Sequence, residues 1–217
     1  MRRTPLNLTV FGGTGPTGLL LIDQALAEGR CVTAFARTPS KLPNAPRLTA
    51  VEGGLGDHER ISSAVSGTDA VISLLGPRKP YRSGEVPALT NGCRAIVAAM
   101  KEHRVRRLIA LSTPSSSDPA DRKEFVLDLS IKIGRELFPV AYDAFVQMGE
   151  IVRGSGLEWT LVRVPFLTNG PHTEKVTVRM LGDKGGMRLS RANAAAFLLS
   201  QTTDTTHIGQ APLITDA

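Results

Sequence analysis

A glycine-rich turn near the start of the chain constrains its fold more than any other feature. The turn, 11–18, has the sequence FGGTGPTG; it follows an apolar run, 6–11, and precedes an apolar-periodic segment, 19–27. A strand, a glycine-rich turn and a helix in this order place backbone N–H groups and the positive end of a helix dipole beside the turn. The order is typical of a β-α unit that holds a phosphate, and it predicts a dinucleotide-binding fold.

The three glycines of the turn have separate predicted roles. Gly12 permits the tight turn out of the strand, Gly15 allows the phosphates to approach the backbone, and Gly18 lets the helix lie close to the sheet. Their spacing is GxxGxxG rather than GxGxxG, so an ordinary strand-to-helix turn is the alternative. We predict that the cofactor contacts the following residues of the turn: Gly12, Gly13, Thr14, Gly15, Pro16, Thr17 and Gly18.

Composition narrows the class of protein. The chain has 217 residues, of which 41% are hydrophobic, and this suits a single domain, 1–217, with a full core. No apolar run approaches the ~20 residues of a membrane span, and 1–5 leads into no apolar segment of a signal peptide. The two cysteines, Cys31 and Cys93, lack metal-ligand spacing and are expected to be buried thiols of a reducing compartment. We therefore predict a cytoplasmic protein.

The net charge of +6 would suit nucleic acid, an anionic membrane or an anionic ligand. The basic residues are scattered, and their densest cluster, Arg104, Arg106 and Arg107, precedes a predicted strand, where we expect solvated charge. An anionic cofactor and substrate are therefore favoured over nucleic acid or membrane. The four histidines have no ligand spacing, so no metal site is predicted.

Strands and helices alternate along the sequence. Continuous apolar runs such as 70–75 are typical of a parallel sheet that is covered on both faces. Predicted strands are 6–11, 31–36, 47–52, 70–75, 106–112 and 158–164, and predicted helices are 16–28, 57–65, 86–103 and 142–154. We predict an α/β fold with a doubly wound, Rossmann-type parallel sheet, which binds ligands beyond the carboxyl ends of its strands.

Two segments interrupt the alternation, and both are predicted to lie on the substrate side. The first, 113–141, contains a helix-like stretch whose shared apolar face consists of Phe125, Leu129, Ile133 and Leu137. This face either packs against the body or covers the substrate as a lid. The second, 165–190, contains a short β segment at 176–178. It is followed by a helix at 191–200 and a strand near 208–214, and these pieces are expected to form a small C-terminal cap.

The end of the second predicted strand indicates the cofactor. NAD-binding proteins usually have an acidic residue there to accept from the ribose hydroxyls, but this chain has Arg37, Thr38 and Lys41. A guanidinium, a hydroxyl and an ammonium suit a 2′-phosphate, so NADP(H) is predicted rather than NAD(H). A solvated basic loop is the alternative.

Later strand ends supply further predicted contacts. After the third strand, the segment 53–57, which contains Gly54 and Leu55, is expected along the adenine. The turn after the fourth strand, 74–78, is expected under the ribose of the nicotinamide half, and it contains Leu75, Gly76, Pro77 and Arg78. Ser112 and Thr113 end the fifth strand, near the expected nicotinamide position.

Several segments spread over nearly the whole chain match one family pattern; they are 11–18, 32–42, 69–78, 91–101, 155–165 and 190–193. Together they resemble the atypical short-chain dehydrogenase/reductases, above all the NAD(P)-binding, NmrA-like branch with flavin reductase and biliverdin-IXβ reductase. The segment 190–193 departs from the pattern, because Asn193 stands where the family usually has Asp. The resemblance implies NADP(H) binding and hydride transfer to a small planar acceptor, and it adds cofactor neighbours at Thr113, Pro165, Phe166 and Leu167.

The chemistry is less constrained than the cofactor. Short-chain dehydrogenases use a Tyr-x-x-x-Lys pair to protonate the developing alkoxide. Here the residue four positions after Tyr81 is Glu85, and the residue four positions after Tyr142 is Val146, so neither tyrosine has the lysine. A conjugated acceptor needs less help, so we predict reduction of a flavin-, quinone- or enone-like molecule. Candidate catalytic residues are Ser112, Thr113 and Tyr142, although strand-end hydroxyls and a packed ring explain them equally well.

Two other functions remain open at this point. One is a non-redox isomerase or cyclase that retains NADP(H), and the other is an NmrA-like nucleotide-sensing regulator without turnover. The predicted partner is an anionic or aromatic small molecule, and the predicted assembly is a monomer or a small homo-oligomer.

Overall fold

An eight-stranded sheet forms the centre of the molecule. We describe a computed structural model that covers residues 5–77, 84–122, 125–173, 175–183 and 185–217. The strand order is β3-β2-β1-β4-β5-β6-β10-β8, and every pairing is parallel except that of β8 with β10. The strands are β1 Asn7–Phe11, β2 Cys31–Ala36, β3 Leu48–Glu52, β4 Ala70–Ser73, β5 Arg107–Ser112, β6 Glu158–Arg163, β8 Val176–Arg179 and β10 Leu213–Asp216. The predicted α/β, doubly wound fold is confirmed.

Helices cover both faces of this sheet. They are α1 Pro16–Ala27, α2 His58–Val65, α3 Glu85–Glu102, α4 Phe125–Leu137, α5 Pro139–Arg153 and α6 Arg191–Ser200. One face is covered by α1 and α6, which pack against each other, and the other by α2, α3 and α5. None of the helices in the described part of the chain is long and apolar enough to span a bilayer.

The two covered faces explain the continuous apolar runs. In β4, Ala70 and Ile72 belong to the core under α1 and α6, whereas Val71 belongs to the core under α2, α3 and α5. Side chains of a strand alternate between faces, so a strand with both faces buried needs an apolar residue at every position. The edge strand β3 is less buried, and three of its residues, Thr49, Ala50 and Glu52, are exposed.

Some of the C-terminal elements belong to the main sheet and its helices, so the substrate-side cap is smaller than we predicted. Helix α6 packs on α1, and β8 and β10 extend the main sheet. A separate two-stranded sheet, β7 Phe166–Thr168 with β9 Arg188–Ser190, lies in the predicted substrate-side segment and was missed in the sequence. The last strand begins at Leu213 rather than near 208, because Pro212 has no N–H with which to continue the ladder beside β6.

The arginine cluster before β5 is a second correction. We expected solvated charge, and Arg106 is exposed beside Glu158. Arg107, however, is only 7% exposed, and its guanidinium donates to the carbonyl oxygens of Gln201 and Glu158 and to Thr160 Oγ1 at 2.7–2.9 Å. Burial lowers the pKa of Arg107. This residue is a structural tie between β5, β6 and the turn after α6.

Helix α4 does not pack as the simpler interpretation predicted. Leu129, Ile133 and Leu137 share a face and are 46%, 49% and 66% exposed, while Ile131 packs against the small cluster of Leu181 and Leu213. The side chain of Phe125 lies outside the described residues. Leu129, Ile133 and Leu137 of the predicted apolar face are therefore not buried against the body.

Candidate functional site

A cleft of about 600 Å³ lies at the carboxyl ends of the parallel strands. Its walls come from the turns after β1, β2, β3 and β4, from one side of α3, and from Leu111, Leu167 and Arg191. β1 lies between β2 and β4, so the crossovers diverge to opposite sides at this point. Ligands of doubly wound folds bind at such a switch point.

The glycine-rich turn forms a cradle in which a Cβ would collide with the protein's own backbone. Gly12 has φ +82°, and a Cβ there would lie 2.8 Å from the carbonyl oxygen of Leu74. A Cβ on Gly18 would lie 2.6 Å from the Gly12 oxygen. Gly13 packs inward, where a Cβ would meet Ile22, and it does not line the cleft. Gly12 and Gly18 thus occupy positions where a side chain would collide with the backbone, and their roles toward a cofactor stay predictions.

The first turn of α1 is open to an anion. The helix begins at Pro16 after an N-cap Gly15 that supplies no side-chain hydrogen bond, and no acidic residue stands in its first turn. A helix N-terminus carries unpaired N–H groups and a partial positive charge. Thr14, Gly15, Pro16, Thr17 and Gly18 all line the cleft here.

Only part of the predicted basic loop reaches the cleft. Arg37 lines it, together with Phe35 and Ala36, but Thr38 and Lys41 do not. The cleft-lining residues within the described chain include no Asp and no Glu. Positive charge at the end of β2 is therefore not neutralised within the cleft.

The remaining predicted cofactor residues divide in the same way. Residues that line the cleft are Leu55, Leu75, Gly76, Pro77 and Leu167, and those that do not are Gly54, Thr113, Pro165 and Phe166. Arg78 lies outside the described residues. Gly76 faces the ring of Phe145, which a Cβ would approach to 2.9 Å, so the turn after β4 is pressed against α5.

The three candidate catalytic residues lie outside the cleft wall. Ser112 is 2% exposed and donates to Ser116 Oγ at 2.8 Å, and Ser116 donates in turn to the carbonyl of Phe145. The hydroxyls of Thr113 and Ser115 are 2.6 Å apart. Tyr142 is half-buried on α5. The structure does not bring these three side chains together in the cleft, so their catalytic role stays a prediction.

A buried ion pair holds the loop after β5. Arg163, fully buried at the end of β6, donates to both carboxylate oxygens of Asp121 at 2.6 and 2.7 Å. Arg153 donates to the carbonyl oxygens of Ser116 and Ser117, and burial is the main cause that lowers the pKa of Arg153. The two arginines fix this loop to β6 and α5.

Several lining residues were not identified from the sequence. They are Phe11, Phe35, Ala36, Ala88, Leu89, Asn91, Leu111 and Arg191. Ala88, Leu89 and Leu111 are apolar and lie outside the family-like segments. The other five belong to the family-like segments 11–18, 32–42, 91–101 and 190–193, but no ligand contact was assigned to them.

No metal centre is visible in the described part of the chain, where no group of three or more His, Cys, Asp or Glu side chains could hold an ion. The predicted absence of a metal site stays a prediction. Cys93 is buried, and burial raises the pKa of its thiol to about 11. Cys31 is only half-buried, contrary to the expectation for both thiols.

A glycine cradle at a helix N-terminus, at the switch point of a parallel sheet, defines a dinucleotide-binding protein of the Rossmann class. Comparison with known families specifies it further. Residues 12–205 match the model of the NAD(P)H-binding family, and the chain belongs to that family.

Known proteins share parts of this chain. It is 32% identical to a 3-beta-hydroxysteroid dehydrogenase of Mycolicibacterium neoaurum over 52% of this chain and 34% of that protein. It is 26% identical to the (4-alkanoyl-5-oxo-2,5-dihydrofuran-3-yl)methyl phosphate reductase of Streptomyces griseus over 94% of this chain and 66% of that enzyme. The chain thus spans about a third of the first relative's length. ChuY of Escherichia coli O157:H7, described as an anaerobilin reductase, superposes with a TM-score of 0.77 at 18% identity, over 97% of each chain.

Proposed function

We propose that this protein is an NADPH-dependent oxidoreductase that transfers hydride to a small conjugated acceptor of the flavin, quinone or enone type. The observation that carries the proposal is the cleft itself, in which a glycine cradle and Arg37 face the same space without any acidic side chain among the described lining residues. An acid at the end of β2 would favour the ribose hydroxyls of NADH, whereas a guanidinium favours a 2′-phosphate.

The cleft fits the parts of the nucleotide. Gly12, Gly15 and Gly18 line the cleft at the N-terminus of α1, where a pyrophosphate would bind. Arg37 would hold the 2′-phosphate. The apolar walls of Leu75 and Leu167 would exclude water from the nicotinamide half. NADPH supplies the hydride when it is bound.

The polar groups of the cleft favour a conjugated acceptor over a simple ketone. Its described lining residues include no His, Tyr, Lys, Cys, Asp or Glu, and the only charged side chains are Arg37 and Arg191. Arginine stays protonated and is a poor proton donor. A ketone would lack a general acid, whereas a conjugated acceptor with a basic atom can take its proton from water. Positioning then supplies most of the rate enhancement.

The known proteins support a reductase. Both the Streptomyces relative and ChuY are named as reductases, and the Streptomyces enzyme acts on a phosphate-bearing molecule. We further propose that 1–217 folds as one NAD(P)-binding domain with substrate-side elements at 113–141 and 165–190. We also propose that it acts in the cytoplasm, as a monomer or small homo-oligomer, on an anionic or aromatic substrate.

Turnover tests the reaction. Purified protein would be mixed with NADPH and a panel of flavins, quinones and enones, and NADPH absorbance would be followed. We expect oxidation with at least one acceptor. Binding of NADPH by calorimetry without oxidation by any member of the panel would overturn the reductase proposal and favour the regulator or the non-redox enzyme.

Cofactor choice is tested at Arg37. Arg37→Ala is expected to weaken NADPH at least tenfold and NADH less than threefold, since only NADPH carries the 2′-phosphate. Lys41→Ala is the matched control, because Lys41 belongs to the same basic loop but does not line the cleft. Equal losses for both nucleotides in Arg37→Ala would contradict the assignment.

A further inference from the structure

We infer that Arg191 is an oxyanion-binding residue of the cleft, which takes a phosphate or a carboxylate beside Leu111 and Leu167. The inference deepens the proposed function and rests on it for the identity of the cleft. The oxyanion has two possible sources, a phosphate of the cofactor or an acidic group of the acceptor. Both present the same chemistry to a guanidinium.

The guanidinium of Arg191 is oriented but not neutralised. Its Nη1 donates to Asn169 Oδ1 at 2.7 Å and is 3.5 Å from the carbonyl oxygen of Leu167. Both acceptors are uncharged. None of the ion pairs found among the described residues includes Arg191. One nitrogen is thus anchored, and the planar fork remains suited to a bidentate oxyanion.

The backbone beneath Arg191 is fixed on several sides. Ser190, the N-cap of α6, accepts from the N–H of Asn193 and donates to the carbonyl of Pro171. The N–H of Ser190 lies 2.9 and 3.1 Å from the two carboxylate oxygens of Asp216. A long side chain that starts from so rigid a base loses less freedom when it binds a ligand.

Asn193 engages the carboxylate of Asp216, which also accepts from the backbone N–H of Ser190. Its Nδ2 donates to Asp216 at 2.7 Å and to Thr173 Oγ1, and its Oδ1 accepts from the N–H of Thr173. The Asp216 carboxylate is therefore engaged by an amide and a backbone N–H. An Asp at 193 would face Asp216 with a second negative charge. The neutral Asn193 adds no negative charge two residues from Arg191.

The surroundings of Arg191 favour a bound anionic ligand beside its guanidinium. The side chain lies in a cleft whose neighbouring walls are Leu111 and Leu167, and the residue is half-buried. A cation that is partly withdrawn from water without a counter-ion loses solvation. A phosphate or carboxylate bound there would restore that loss.

The test uses binding to the full chain, so it does not depend on turnover. Flavin mononucleotide and riboflavin form a matched pair of probes that differ by one phosphate, and NADP⁺ probes the cofactor. Affinities for NADP⁺, and for each flavin at saturating NADP⁺, would be measured in wild type, Arg191→Gln and Arg191→Lys. Arg188→Gln is the control, because Arg188 is exposed on β9 and does not line the cleft.

The outcomes separate the two sources. A tenfold or greater loss for flavin mononucleotide with little change for riboflavin, partly rescued by Arg191→Lys, assigns the oxyanion to the acceptor. A similar loss for NADP⁺, with the ratio of the two flavin affinities unchanged, assigns it to the cofactor. Unchanged NADP⁺ affinity with an unchanged flavin ratio overturns the inference. If the protein binds these probes as expected but oxidises no NADPH, the reductase proposal is wrong and the role of Arg191 still stands.

Discussion

At the scale of single residues, neighbouring side chains of one type meet opposite surroundings. Arg106 and Arg107 are adjacent in sequence, but the Arg106 side chain is 77% exposed, and the Arg107 guanidinium donates to buried carbonyl oxygens. Successive side chains of a strand point to opposite sides, and this explains why Arg106 is exposed and Arg107 is buried. Nothing in the sequence distinguishes these two arginines, because the acceptors of Arg107 come from β6 and from the turn after α6.

Removal of the Arg107 guanidinium is therefore expected to destabilise the fold. Arg107→Met would leave the carbonyl oxygens of Gln201 and Glu158 without their donor, and we expect a loss of ~2–4 kcal/mol in the free energy of unfolding. Arg106→Met should change it by less than ~1 kcal/mol, since an exposed ion pair contributes little. Urea denaturation measures both. Equal losses in the two variants would contradict the structural role of Arg107.

The Cys93 thiol should be protected chemically as well as sterically. Its pKa of about 11 against 9.0 for the unperturbed thiol means that about 100-fold less thiolate is present at pH 8. In Cys31→Ala protein, we expect alkylation of Cys93 to be at least about 100-fold slower in the native state than in urea. A native rate within threefold of the unfolded rate would show that the thiol is neither buried nor perturbed.

The same pKa shift has a consequence for stability. Because the folded pKa is raised, the neutral thiol contributes its stabilisation below pH 9 and loses it as the pH rises through 11. Wild type should therefore lose stability between pH 9 and 11 more steeply than Cys93→Ala. Parallel pH profiles of the two proteins in chemical denaturation would contradict this.

At the scale of elements, the β1-turn-α1 unit combines a structural contact with the ligand site. The backbone of Gly18 touches the Gly12 carbonyl side of the turn, so α1 begins against the end of β1. Any displacement of α1 would move the N–H groups that face the cleft. Packing and phosphate recognition are therefore coupled in this unit.

Gly18→Ala tests this coupling. Its Cβ would lie 2.6 Å from the Gly12 oxygen, so we expect at least a tenfold loss of NADPH affinity and a destabilisation of ~1–3 kcal/mol. Gly134→Ala, in α4, is the control, since its Cβ would meet nothing within 4 Å and a helical alanine is favoured over glycine. The control should bind NADPH as wild type does. Unimpaired NADPH binding by Gly18→Ala would contradict the role of the close approach.

The elements were largely predictable because local pattern specifies them. The bounds of β2 and α6 were predicted correctly, since continuous apolar residues and a Ser N-cap are local signals. Helix α5 begins at Pro139, three residues earlier than expected, although proline at the first helical position is itself a start signal. The β7–β9 pair was missed because a short strand is defined by a partner that lies 22 residues away.

The site was predictable to a lesser degree, for a related reason. The turns at strand ends follow from topology, and most of the loop 11–18 lines the cleft. Leu111 and Arg191 belong to the same cleft, but they reach it only through the packing of β5 and α6 on distant parts of the chain. Leu111 has no local signature, and the family-like segment that contains Arg191 did not indicate that its side chain faces the cleft.

At the scale of the whole molecule, cofactor binding is expected to stabilise the fold. Binding to the native state alone contributes ~2.7 kcal/mol at a ligand concentration of 100 Kd. For a chain of 217 residues this corresponds to a rise in Tm of about 5–10 °C. A thermal melt with NADPH measures it, and adenosine, which lacks the phosphates, is the control. A similar rise with adenosine would show that the phosphates do not contribute to binding.

The position of β1 also bears on how the protein acquires its binding site. β1 pairs with β2 and with β4, whose partner residues Leu8 and Ala70 are 62 positions apart, and the Leu74 carbonyl beside Gly12 follows β4 directly. The phosphate cradle is therefore complete once the first part of the chain, up to about residue 74, has paired. Segments that add Leu167 and Arg191 come later in the sequence. The two sides of the cleft therefore differ in their origin along the chain: the phosphate side is built from residues that are close in sequence, and the side of Leu167 and Arg191 depends on long-range packing.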